Sequence, residues 1–106
     1  MDTLKDTLAQ VLKGYAGEIG NGKIYLTSTP DQSIWTTIAI ARVQKKQITT
    51  VTLVVRLVDD LVVIDHDNND KPLVDALMQA GVPRDHIVLA YAGESLPTTA
   101  VAESSG

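Results

Sequence analysis

The chain has 106 residues, 44% of them hydrophobic, which is enough for one domain around one core and too little for two. It contains no cysteine, so a disulfide framework, a thiolate metal site and a thiol nucleophile are all excluded. Nine Lys and Arg against thirteen Asp and Glu give a net charge of -4, opposite in sign to a phosphate-binding footprint, and direct nucleic-acid binding is not expected.

The first ten residues, MDTLKDTLAQ, are charged and amphipathic rather than basic and then apolar, and no run of about 18 apolar residues occurs. A soluble, cytoplasmic protein without a membrane partner is the expectation. Leu4, Leu8, Val11, Leu12, Tyr15 and Ile19 recur at helical spacing and form one stripe that must face a core. Thr3 and Asp6 have the spacing of a capping box, and GEIGNG supplies the breakers, so a helix is predicted over Thr3 to Ala16.

Four strands follow. Lys23 to Thr29 alternates, with Ile24 and Leu26 on one face and Tyr25 and Thr27 on the other. After TPDQS, the β-branched run Ile34 to Val43 sends Ile34, Ile38 and Ile40 one way and Trp35, Ala39, Ala41 and Val43 the other. QKKQ makes a turn into Ile48 to Val58, where Val51, Leu53, Val55 and Leu57 share a face, and Asp59 and Asp60 lead to a short strand, Leu61 to Asp65. Connections of only a few residues require antiparallel pairing, since a parallel crossover needs about a dozen.

The stretch IDHDNNDKPL, Ile64 to Leu73, concentrates carboxylates, amides and a histidine. Asp65, Asp67 and Asn69 imitate the start of a calcium loop, but Asp70 stands where Gly is needed and Ala76 where Glu is needed. On an extended chain Asp65 and Asp67 share a face and His66 points away from both, which disfavours a catalytic pair. The stretch reads as a helix start, with Asn69 as N-cap, Asp70 at the positive end and Pro72 in the first turn. The helix carries Leu73, Val74, Leu77 and Met78 and stops at Gly81. HIVLAYAG is then either a fifth strand or an extended segment against the sheet, and residues after about 95 are small, polar and expected to be poorly ordered. Neither His66 nor His86 has a second ligand at metal spacing, so no catalytic, cofactor or metal residue is assigned.

The resulting expectation is a single α+β domain over residues 1–106, an antiparallel β-meander of about four strands with an N-terminal and a C-terminal helix on one face. Arg42, Lys45 and Lys46 gather at one turn, with Arg56 near across the hairpin. Trp35, Ala39, Ala41, Val43, Val54 and Val63 add apolar area beyond what two helices cover. Trp35, Arg42, Val54 and Arg56 are therefore candidates for an interface with a partner protein or a second copy of this chain, a homodimer. Packing of Trp35 beneath the loop from Gly17 to Gly22 or the C-terminal segment is the competing reading, and a small-ligand pocket a third.

Asp59 to Glu94 resembles the second half of the XisI family, the fdxN element excision controlling factors of cyanobacteria. In that family a strand leads through a D-G-T-E turn to a helix and a G-[IV]-P-x-x-D-I-V-L-G-F-like segment. Asp67 matches the Asp, Asn68, Asn69 and Asp70 stand at the Gly, Thr and Glu positions, and Gly81-Val82-Pro83 and Ile87-Val88-Leu89 match closely. Leu12 and Tyr15-Ala16 resemble the L-x-x-Y-A of the first helix, and Thr98 with Ala100-Val101-Ala102 is similar to the terminal T-x-F-A-V-A. The sequence departs from the family where Val63 replaces a Trp, Val54 a His, and Asp65 and His66 a Gln pair.

The resemblance implies a non-enzymatic accessory protein, without a cofactor, that controls excision of a DNA element beside a recombinase and an XisH-like protein. The alternative is a partner or neutralising subunit of a nuclease-like protein outside any excision process.

Overall fold

The computed structural model describes residues 3–96, and the Thr3 side chain is outside that description. The Thr3–Asp6 capping box, the match of Thr98 and Ala100-Val101-Ala102 to the terminal T-x-F-A-V-A, and nearly all of the segment after about 95 expected to be poorly ordered therefore lie outside the described residues. The first helix, α1 (Thr3–Lys13), ends sooner than its stripe predicts. Its end tightens into turn bonds, Gly14 N–H to the Val11 carbonyl at 3.0 Å and Tyr15 N–H to that of Leu12 at 2.9 Å. Gly14, the first residue past the helix, weakens its continuation, and Gly17, at φ 132°, begins β1. Tyr15 thus leaves the helix, and Ile19 falls on that strand.

Strands β1 (Gly17–Ile19), β2 (Gly22–Ser28), β3 (Ile34–Val43), β4 (Lys46–Val58) and β5 (Leu61–Asp67) come next. Helix α2 (Leu73–Gln79) and strand β6 (Ile87–Leu89) complete the fold. The sheet has six strands in chain order, antiparallel from β1 to β5 and parallel between β5 and β6. The expected four-stranded antiparallel meander is thus a six-stranded mixed sheet. A three-residue strand such as β1 gives no periodic signal, and residues 68–86 contain α2, the kind of crossover that parallel pairing requires.

A tight turn and a close strand approach fix the hairpins. Gln44 and Lys45 both adopt positive φ, 51° and 68°, in the two-residue link between β3 and β4, as a type I′ turn demands. At the start of β2 the chain approaches β3 so closely that a Cβ on Gly22 would stand 2.0 Å from the Ile40 carbonyl oxygen.

Two bulges decide which side chains face inward. Thr37 pairs with Leu53 but Ile38 pairs with Val51, so Thr52 is an extra residue in β4. Val54 pairs with His66 but Val55 pairs with Ile64, so Asp65 is an extra residue in β5. Each bulge reverses the alternation beyond it. Val51 therefore faces away from Leu53, and Asp65 and Asp67 do not share a face, contrary to the strict alternation read from the sequence.

Both helices pack on one side of the sheet, where Leu8, Leu12, Leu53, Val55, Ile64, Leu73 and Leu77 are buried in one cluster. At its end α2 stops in a Schellman turn: Gly81, at φ 100°, donates to the Met78 carbonyl and Val82 to that of Leu77, both at 3.0 Å. Met78, read as part of the buried stripe, is exposed.

Candidate docking face and the acidic junction

Asp67 ends β5 on the helix side, opposite Leu53. Its Oδ2 accepts the Leu73 N–H at 2.6 Å, which satisfies a first-turn donor of α2. Its Oδ1 accepts the Asn69 side-chain amide at 2.8 Å and the Asn69 N–H at 3.2 Å. The predicted N-cap is corrected accordingly. Pro72 occupies the cap position with no side-chain bond of its own, and the capping oxygen comes from Asp67 at the end of the sheet. Asn69 instead donates to the Thr52 carbonyl at 3.2 Å, which also accepts the Asn68 N–H at 2.9 Å. The β4 bulge thus presents the carbonyl that fixes the loop.

Beneath this loop the buried Thr37 hydroxyl meets that of Thr52 at 2.6 Å. The Tyr15 hydroxyl donates to the Lys71 carbonyl at 2.8 Å. Burial, and then the negative charges of Asp67 and Asp75, push the Tyr15 phenol up to about 12. Tyr15 lies beyond the helix but still packs against the core, with its polar end closing the acidic junction. Among the described residues no three His, Asp or Glu side chains cluster as a metal site would require.

The other side of the sheet is different. Strand pairing places Ile34, Thr36, Ile38, Ile40 and Arg42 of β3 on it. Tyr25, Ile38 and Val51 line up across β2, β3 and β4. Tyr25 is 44% exposed and Val51 42%. Ile34 is also exposed, whereas Val63 and Val88, on the same side towards β6, are buried. The Lys23 ammonium lies 5.2 Å from the Tyr25 ring centre, a cation–π contact on this face.

Three of the four predicted interface residues, Arg42, Val54 and Arg56, fall on this open face. Trp35 does not: it is 5% exposed in the core beside the helices, and its indole N–H donates to the Gln32 carbonyl at 3.0 Å. A buried, satisfied Trp cannot anchor a partner, so its place in that set is corrected. Arg56 forms a two-pronged pair with Asp65, Nε to Oδ2 at 2.6 Å and Nη2 to Oδ1 at 3.0 Å, beside the bulge at Asp65. His66 sits at 3.1 Å from the Val51 carbonyl through Nε2, which donates to it. Ile38 is half-buried on the face its alternation predicts, whereas Val51 is exposed against expectation, because the bulge that turns it outward leaves no mark in the residue pattern.

The basic and acidic turns lie at opposite ends of the sheet, and Asp31 and Asp59 border a cleft that Leu4 and Lys5 of α1 also line. Lys45 and Lys46 stand at the β3–β4 hairpin. Asp31, in the β2–β3 turn, and Asp59 and Asp60, in the β4–β5 turn, stand at the other end, tied together where the Leu57 N–H donates to the Ser33 carbonyl at 2.7 Å. Hydrogen bonds from Thr29 and Ser33 hold the Asp31 carboxyl below its usual range. A shallow cleft of about 190 Å³ beside Asp31 and Asp59 falls below the roughly 300 Å³ at which small-molecule sites begin.

A family model described as XisI protein matches residues 1–100. Two solved structures from Anabaena variabilis are similar in fold. The fdxN element excision controlling factor XisI gives a TM-score of 0.61 at 18% identity, over 90% of this chain and 92% of its own. An XisI-like protein gives a TM-score of 0.61 at 16% identity, over 82% of this chain and 79% of its own. No curated protein matches the chain.

Proposed function

The chain belongs to the XisI protein family, and from that membership we propose that it is a non-enzymatic accessory factor that controls site-specific excision of a DNA element through contacts with other proteins. The observation that carries this reading is the family match over residues 1–100. The carboxylates that sequence alone offers as catalytic candidates support it by what they do. Asp67 holds the first turn of α2 and Asp65 holds Arg56, so both are engaged in structure. Phosphodiester cleavage asks instead for carboxylates converging on metal ions, or for an activated hydroxyl among basic groups.

An XisH-like protein and a recombinase are the partners this role implies, and the open sheet face serves protein contact. The test is excision itself. In cells carrying an excisable element with its recombinase, amplification across the rejoined chromosomal junction is compared with and without this chain, and junction product is expected to depend on it. Unchanged product would overturn the proposal. Binding of a nuclease-like partner with no effect on excision would support the neutralising-subunit role instead.

A further inference from the structure

We propose that the open face of β2, β3 and β4 is a homodimer surface, on which two copies pack face to face with their strands antiparallel. The cationic hairpin of each copy then lies against the acidic turns of the other. The inference rests on reading this face as a contact surface and not on any role in excision.

The first ground is charge. Residues 17–25 and 38–51, the half of the sheet nearer the β3–β4 hairpin, hold Lys23, Arg42, Lys45 and Lys46 against Glu18 alone. The remainder of the chain holds five Lys and Arg against twelve Asp and Glu. A net charge of -4 therefore conceals a stretch of sequence around the β3–β4 hairpin that is net positive and a remainder that is net negative. At the acidic end Lys5, whose ammonium donates to the Asp31 carbonyl at 3.3 Å, offsets only part of the charge of Asp31, Asp59 and Asp60.

The second ground is register. Ile38 stands seven residues from Lys45 and seven from Asp31. A twofold axis in the plane of the face, passing near the Tyr25–Ile38–Val51 row, superposes each hairpin on the partner's acidic turns and buries that row against itself. Such a contact is self-complementary and closed, as a twofold interface must be. Twisted sheets pack this way with strands within about 30° of alignment.

The same pattern rejects other occupants. A phosphate backbone would meet Arg42 and the turn residue Lys45 at one end but the acidic turns at the other, across an apolar middle. An unrelated protein would have to reproduce the sequence of acidic, apolar and basic zones that a second copy already carries.

Sedimentation velocity of the full chain at micromolar concentration tests the proposal. The expected species has twice the 11.4 kDa of one chain, and its association weakens as salt screens the ends. Val51→Asp is expected to give a monomer with an unchanged circular dichroism spectrum. Lys45→Glu with Lys46→Glu, and separately Asp59→Lys with Asp60→Lys, should each weaken association by about tenfold or more through like-charge contact. Combining the four reverses both ends and should restore the dimer. A wild-type monomer, its face covered by its own C-terminal residues or by nothing, overturns the proposal, as does a combined variant that stays monomeric. A chain that dimerises but leaves excision unchanged refutes only the functional reading above, and an excision-competent wild-type monomer refutes only this one.

Discussion

Replacing Asp67 by Ala separates a structural carboxylate from a chemical one. The substitution removes the 2.6 Å bond to the Leu73 N–H and both bonds to Asn69. Helix α2 has only seven residues and cannot persist without its contacts, yet it places Leu73 and Leu77 in the core. Loss of a helix cap costs about 0.5–2 kcal/mol, and a hydrogen bond to a charged group contributes about 1.5–3 kcal/mol. These contributions overlap, so the expected loss is about 2–3 kcal/mol, which at about 4–8 °C per kcal/mol for a domain of this size lowers Tm by roughly 10–20 °C. Asp67→Asn leaves an oxygen for Leu73 but turns an NH2 toward the Asn69 donors, and should cost about half as much. Asp65→Ala, which breaks a more exposed pair, should cost less than about 1 kcal/mol. Urea unfolding followed by circular dichroism measures all three. An Asp67→Ala protein within about 0.5 kcal/mol of wild type, the usual range for an uninvolved surface position, would refute the capping argument.

Other consequences follow from the same geometry. Because the folded Tyr15 phenol is raised to about 12 from an ordinary value near 10, its contribution to stability is complete below pH 10 and lost as pH rises from 10 to 12. Tyr15→Phe should flatten that decline in alkaline unfolding curves, and Asp67→Asn should shift tyrosinate absorbance to lower pH. Gly22→Ala drives a Cβ to 2.0 Å from the Ile40 carbonyl oxygen and should cost at least about 2 kcal/mol in urea unfolding, by forcing β2 from β3. Lys45→Gly should stabilise the protein by about 1 kcal/mol, because Lys45 holds φ 68° where Gly meets no steric penalty, and a Tm that falls would contradict the turn assignment.

Where the sequence was legible, the reason was a periodicity that a single element obeyed from end to end. Strand β3 runs from Ile34 to Val43 as its β-branched alternation predicts, with Ile38 and Trp35 on opposite sides. Alternation could not say which side the helices would cover, and Trp35 was assigned to the wrong one. Periodicity also fails at an insertion. Thr52 is an ordinary strand residue and Asp65 a disfavoured one, yet neither type marks a bulge, and only the partner strand reveals that they are extra. The consequences, Val51 turned outward and Asp65 turned toward Arg56, belong to pairing between strands and not to any local pattern. The capping of α2 was misread for a related cause. Asn69 is a good cap by type and position, but Asp67 reaches the Leu73 N–H from six residues upstream because the end of β5 is held in place by Leu53. The acidic junction was correctly read as a helix start, and its atoms were assigned to the wrong neighbour.

The account turns on a division of labour, contact through the open sheet face and construction through the carboxylates before α2. Rejoined-junction yield with Val51→Asp and with Asp67→Asn, at a temperature where circular dichroism finds both folded, measures it most directly. The account predicts that Val51→Asp loses the support that wild type gives to excision and that Asp67→Asn keeps it. Loss with Asp67→Asn alone, with Val51→Asp fully active, would contradict the account.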